Sequence, residues 1–407
     1  MSNFFSDMPK DCAFYGLSCR SELPDNPVAR KSFQISEYAL LKNLLTRKPV
    51  GTEVVSTPAS DLAGTERKIY RRSHRLGRGL TTLFRELVWT FGNWKSKALD
   101  DFLEDVQPDI LFMTAFESIF PYKILRYIQK KTGAAVVLFH ADTNYTLKQF
   151  SLSPFYWIER LAMRKYIRRA VAESALNYSI TQEQGAAYTK KFHKPFYWLT
   201  KSEDFLQMPA PPTHRGEPVQ LVYTGNIDSG RMQSLLLLLD ALREINRDRV
   251  RAQLHIYAGI VQNPKKIQQL CVPGVSFFHG EVPVKELEQI YREADILVYT
   301  EGLDLRSRLK VREAFSSKLV DYFFAARCIF AVGPKDIAPV AHLLRTDAAV
   351  VASSPNEVCN QLKALVENSA LREAYAEKAW RCGAEHHNSK TMKKQLYEQL
   401  SALTAQK

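Results

Sequence analysis

Long apolar runs are missing from this chain. The longest, residues 134–139, is six residues, whereas a membrane-crossing helix takes about 20. Any contact with a bilayer is therefore expected to be peripheral. No CxxC pair occurs among Cys12, Cys19, Cys271, Cys328, Cys359 and Cys382. That argues against a disulfide framework and for a reduced chain. The first residues, MSNFFSDMPKD, are polar and mixed rather than a leader with an apolar core, so a cytoplasmic location is expected. Zinc-finger, RNA-binding and helix-turn-helix signatures are lacking, which leaves nucleic acid out of the expected partners. Repeats and low-complexity segments are absent too.

The 407 residues are 45% hydrophobic and 11% aromatic, enough for two domains with real cores. The formal charge is +13. Residues 1–200 hold 29 Lys and Arg against 19 Asp and Glu, so most of the excess lies in the first half. A basic half suggests an anionic partner. Its cations gather at Arg30-Lys31, at residues 67–78 (RKIYRRSHRLGR) and on 154–170 (PFYWIERLAMRKYIRRA), which includes Arg164 and Arg168. The last stretch has apolar groups at helical spacing. It reads as a helix packed on a sheet or one lying in a membrane interface.

In the first half, strands are expected at 12–18, 52–56, 109–114, 134–139, 175–180 and 196–199. Helices are expected at 34–45, 80–103, 122–131, 154–170 and 183–191, and 20–33 reads as a polar loop. Strand and helix alternate, so βαβ units and a parallel sheet follow. The strand 134–139 ends in His140-Ala141-Asp142, where open α/β sheets gather ligand groups. Residues 201–218 contain four prolines and read as a linker. Beyond it the pattern restarts at QLVYTGNIDSGR. The expected domains are 1–200, 219–385 and a closing helix, 386–407.

The most informative stretch is 311–333, VREAFSSKLVDYFFAARCIFAVG. It reads as loop, helix and buried strand. A serine hydroxyl at Ser316 or Ser317 can accept from the free N–H groups of a first helical turn. With Lys318 beside them, that helix start is a plausible diphosphate cradle. Asp321 follows one turn later, and Glu313 lies just ahead. Taken alone, this is equally an ordinary β-α-β piece with solvated charges.

This stretch resembles the donor segment of family 4 retaining glycosyltransferases of the GT-B fold. There, two acidic residues separated by seven others enclose a Ser-Lys-Leu element, as Glu313 and Asp321 enclose Ser317-Lys318-Leu319. The second acid is usually Glu, and here it is the shorter Asp321. VSFFHGEVPVKELEQIYREADILVYTEG and LNYSITQEQGAAYTKKF are similar to further elements of the family. The paired glycines common after the family's first strand are absent, since only Gly16 stands there.

The resemblance implies two Rossmann-like domains facing a cleft, with C-terminal helices returning to the first domain. It also implies a nucleotide-sugar donor, which is a substrate rather than a cofactor, and no metal. Gly225, Asn226, Arg231, Ser316, Ser317 and Lys318 would meet the diphosphate. Gly280 and Val282 would lie against the base, Asp321 on the ribose and Glu313 on the transferred sugar. His140 and Asp142 would act at the sugar from the first domain. Arg30, Lys31, Arg164 and Arg168 are expected at a glycan or lipid-linked acceptor or an anionic membrane. A sugar-nucleotide epimerase of the same fold and a non-catalytic binding protein stand as alternatives.

Overall fold

The computed structural model describes residues 2–19, 26–46, 48–54, 78–212, 216–259 and 263–405. It divides into two compact units. One comprises Met1–Leu147, Ser151–Leu199 and Lys393–Lys407, the other Lys148–Phe150 and Thr200–Met392.

In the first unit, β1 (Phe14–Ser18), β2 (Ala29–Gln34) and β3 (Thr52–Val54) form a three-stranded sheet, with β3 antiparallel. A separate parallel sheet contains β4 (Ile110–Thr114), β5 (Ala135–His140), β6 (Leu176–Ser179) and β7 (Tyr197–Trp198) in that order. Phe5 fills the space between Phe14 of β1 and Phe112 of β4, with ring centroids 4.9 and 5.0 Å away. The strand β2 falls where the sequence reads as a loop. Its buried residues are Ala29, Ser32 and Phe33, and the intervening Arg30-Lys31 hide the alternation.

The helix expected at 80–103 is two helices, Arg78–Phe91 and Lys97–Val106. Gly92 ends the first, and the Ser96 hydroxyl accepts from the Leu99 N–H at 3.2 Å to start the second. Trp89 is fully buried and stacks on Phe120 at 4.1 Å, in a core shared with Phe33, Leu40 and Leu99. A second core lies under the β4–β7 sheet around Leu138, Met163 and Ile167. The basic run at 67–78 lies outside the described residues, except that Arg78 opens a helix.

The closing helix, Ser389–Thr404, ends in the first unit, as the resemblance implies. The Tyr178 hydroxyl donates to Gln399 Oε1 at 2.6 Å, and Lys393 pairs with Asp7 at 2.9 Å.

The second unit has one six-stranded parallel sheet. Its strands are β8 (Val219–Thr224), β9 (Ala252–Tyr257), β10 (Ser276–Gly280), β11 (Ile296–Thr300), β12 (Cys328–Val332) and β13 (Val350–Ala352). They lie in the order β10-β9-β8-β11-β12-β13. Every residue of β11 and β12 is buried, the pattern of strands covered on both faces. The chain winds outward in opposite directions from β8 and β11. Such a reversal opens a crevice at the carboxyl ends of those two strands. Among the described residues no helix is long and apolar enough to cross a membrane.

Candidate active site

At that reversal point three elements meet. β8 ends in Thr224-Gly225, and Gly225 takes a φ of +117°, a region glycine enters without steric cost. A side chain there would also press on the Lys318 ammonium, since a Cβ would lie 3.1 Å from Nζ. The helix Arg231–Ile245 then starts at Gly230, which is packed against Gly302 and Ser307. A Cβ on Gly230 would come within 2.8 Å of the Gly302 Cα. These two glycines let the turn after β8 touch the loop after β11.

Lys318 opens the helix Lys318–Ala325 and donates to the Thr224 carbonyl at 2.5 Å. Its ammonium lies 4.8, 5.6 and 5.8 Å from the ring centres of Tyr223, Tyr299 and Tyr322, where the negative faces of the rings attract it. Burial, then the nearby Arg231 charge, pulls its pKa down to about 7. Arg231 makes a two-pronged contact with Glu301, with Nε–Oε2 at 3.1 Å and Nη2–Oε1 at 2.8 Å. Glu301 is 2% exposed. It also accepts from the Tyr299 hydroxyl at 2.8 Å, and its carbonyl accepts from Ser234 at 2.7 Å. The result is two cations at the mouth of the sheet, one of them, Lys318, bonded to a neutral carbonyl and facing aromatic rings. An anion arriving there meets preset donors.

Asp321 lies one turn beyond Lys318. Burial pushes its carboxyl above the usual range, against the pull of Lys201 and Lys318. Lys201 donates to it directly. Ser316 and Ser317 stand at the helix start as expected, but their hydroxyls do not cap it. Ser317 already has helical angles and makes no side-chain cap bond. The turn is closed by backbone contacts instead, Leu319 N–H to Ser316 O at 3.0 Å and Val320 N–H to Ser317 O at 3.1 Å. Glu313 is partly buried in the loop ahead of that helix. Ahead of it lies the helix Leu305–Val311, capped by Asp304. Arg308 in it pairs with Asp336 at 2.5 Å.

The other expected residues of the second unit are Asn226, Gly280 and Val282. Asn226 Oδ1 accepts from the Asp228 N–H at 2.6 Å, shaping the turn after β8. Gly280, with φ of +77°, ends β10, and Val282 follows in the turn before the helix Val284–Glu293. In the first unit, His140 ends β5 and is 1% exposed. Its ring meets Tyr188 edge-on at 5.4 Å. Burial pulls its pKa down to about 3, so the ring is neutral. Asp142 is exposed beyond it, and its carbonyl accepts from Gln184 at 3.0 Å. Lys31 pairs with Glu53 at 3.2 Å and Asp105 at 3.0 Å, while Arg30 is exposed. Arg164 and Arg168 pack on the Tyr145 ring. Sequence reasoning passed over Glu301, the tyrosines around Lys318, and Lys201.

Residues 218–368 match a family model described as glycosyl transferases group 1. No curated protein matches. Several solved structures share the architecture. TarM from S. aureus aligns with a TM-score of 0.56 and 13% identity, over 76% of this chain and 58% of that one. HepE from Anabaena, in complex with UDP-glucose, aligns at 0.55 and 12%, over 76% and 83%. Sucrose-phosphate synthase from Thermosynechococcus elongatus aligns at 0.58 and 11%, over 82% and 80%. The chain thus spans little more than half of TarM and most of the other two. At these identities the likeness shows the fold, which is GT-B.

Proposed function

We propose that this protein is a glycosyltransferase that moves a sugar from a nucleotide-sugar donor to a glycan or lipid-linked acceptor. The carrying observation is the meeting of Lys318 and the Arg231–Glu301 pair at the reversal point of the six-stranded sheet, inside the segment that matches the family. The chemical demand is to offset charge as it builds on a leaving diphosphate. Lys318 and Arg231 supply two positive charges for that, with Gly225 giving close backbone approach. Asp321 takes the ribose hydroxyls and Glu313 those of the transferred sugar. Gly280 and Val282 border the base. The reaction retains anomeric configuration and needs no metal in this reading. The acceptor binds the first unit, where His140 and Asp142 lie, and the protein works in the cytoplasm.

HepE is a structural neighbour solved with UDP-glucose, so uridine diphosphate sugars are the first donors to try. The test combines calorimetric titration of several nucleotide sugars with product analysis. Expected is binding with transfer, or slow hydrolysis to nucleoside diphosphate and free sugar. An epimerised sugar would identify a sugar-nucleotide epimerase instead, and binding without turnover a non-catalytic protein.

A further inference from the structure

The helix Pro154–Glu173 has two unlike sides. Arg160, Met163, Ile167, Ala170 and Val171 are buried. On the opposite side Phe155, Ile158 and Leu161 are 55%, 66% and 57% exposed. Lys165, Arg168 and Arg169 continue the same exposed stripe. The stripe is therefore apolar over its first part, about 9 Å at helical rise, and basic over the next. Leu152, just ahead of the helix, is 89% exposed. Single exposed apolar residues are ordinary, but a row of them along one line is not.

The basic part opens into a cavity of about 590 Å³, with Leu147 and Leu161 beside Arg164, Lys165, Arg168 and Arg169. Arg164 donates to the Tyr145 carbonyl, and Arg168 donates to its hydroxyl at 2.7 Å. These bonds fix the two guanidinium groups and leave most of their N–H groups over. Among the described residues neither Arg164, Lys165 nor Arg168 pairs with a carboxylate, and Arg169 has an exposed pair with Glu173 at 2.9 Å. Burial and the charges of Arg168 and Arg160 all disfavour the charged form of Arg164. Like charges held together this way gain from an anion.

We infer that this stripe docks the protein on an anionic membrane leaflet, with the apolar part at the acyl boundary and the cations and their cavity on lipid phosphates. A soluble polyanion would meet the cations but leave Leu152, Phe155 and Ile158 in water. A leaflet offers both chemistries at once. At the basic pair Arg30-Lys31, Lys31 is already paired with Glu53 and Asp105, which leaves Arg30 as a single exposed cation. The inference does not rest on the glycosyl-transfer reading, because docking needs no donor.

The test is co-sedimentation of the full chain with vesicles of phosphatidylcholine, alone or mixed with phosphatidylglycerol, at low and high salt. Expected is binding to the mixed vesicles only, weakened by salt. Lys165→Glu with Arg169→Glu should weaken it about fivefold or more per charge reversed. Ile158→Ser with Phe155→Ser should weaken it at all salt concentrations. A thermal melt of each variant confirms that the fold is kept. Equal binding of wild type and charge-reversed protein overturns the inference, as does failure to bind mixed vesicles at low salt. Release from the vesicles by inorganic phosphate or heparin, to the same extent in the Ile158→Ser, Phe155→Ser variant as in wild type, would make the cluster a soluble-anion site instead.

Discussion

Lys201 donates to one carboxylate oxygen of Asp321, and Glu203 lies 3.4 Å from the same ammonium. The segment carrying Lys201 is pinned to the end of the unit. The Glu203 N–H donates to His387 O at 3.0 Å, and the Ser389 N–H donates to Glu203 O at 2.8 Å. A held cation thus takes one oxygen of the carboxylate proposed for the ribose and leaves the other to accept. Burial already pushes the Asp321 carboxyl upward, and Lys201 opposes that rise.

Removing Lys201 should therefore make ribose recognition pH-sensitive. Lys201→Met is expected to weaken uridine diphosphate binding more at pH 6 than at pH 8, as Asp321 protonates more easily. Asp321→Asn should lose about 1.5–3 kcal/mol against the ribonucleotide and much less against its deoxyribose analogue. Calorimetry with both ligands at both pH values checks this. Equal losses for the two sugars would leave Asp321 a helix-supporting residue only.

Lys318 gives a second pH dependence. Its pKa lies near 7 in the free protein, against 10.5 for an ordinary lysine. Between those values the unfolded chain binds more protons, so the free protein should gain stability as pH rises from about 7 toward 10.5. Diphosphate binding runs the other way. A diphosphate favours the ammonium and raises its pKa, so binding takes up a proton and affinity falls above pH 7. Titrations at pH 8 in two buffers of different ionisation heat should show uptake approaching one proton. Lys318→Ala should abolish the uptake and weaken binding by about 1.5–3 kcal/mol. Zero uptake in the wild type would place the diphosphate elsewhere.

Much of this site is legible in the sequence because its parts are local. Glu313, Lys318 and Asp321 share one short stretch, and a small-residue helix followed by an apolar run announces a buried strand. Glu301 was not legible. It follows an apolar strand in a Thr-Glu-Gly step that looks like any strand end, and its partner Arg231 is 70 residues away. Lys201 lies in a proline-containing stretch that reads as a linker, so nothing local ties it to Asp321. The same limit hid β2, where Arg30 and Lys31 interrupt the apolar alternation. It also hid how the helix at Lys318 starts, since two serines suggest side-chain capping and the backbone closes the turn without it.

The Arg231–Glu301 contact separates a structural role from a binding one. Glu301 is buried and Arg231 partly so, and breaking such a pair costs about 3 kcal/mol. Glu301→Gln should therefore lower the melting temperature of the free protein. A diphosphate would give Arg231 a new anion, so the deficit should shrink at saturating uridine diphosphate. Melts with and without nucleotide decide the point. An unchanged deficit would mean that Arg231 does not face the diphosphate.

His140 offers the last test. Its ring is enclosed by Tyr188 and Phe196, with centroids 5.4 Å from each. Among the described residues its Nε2 has no hydrogen-bond partner. A buried polar atom left unmade is destabilising by about 1–3 kcal/mol, so a phenylalanine of similar shape should fold as well or better. If the ring serves only to fill space, His140→Phe should keep full turnover. If Nε2 meets the transferred sugar, turnover should fall while nucleoside diphosphate affinity holds, since the nucleotide is proposed to bind the other unit. The pKa near 3 adds a condition, because a ring neutral throughout contributes no inflection of its own, so His140→Phe should leave any inflection of the pH–rate profile between pH 5 and 8 where the wild type has it. We expect reduced turnover, unchanged diphosphate binding and a melting temperature at or above that of the wild type. Full turnover in His140→Phe would return the residue to the packing of β5.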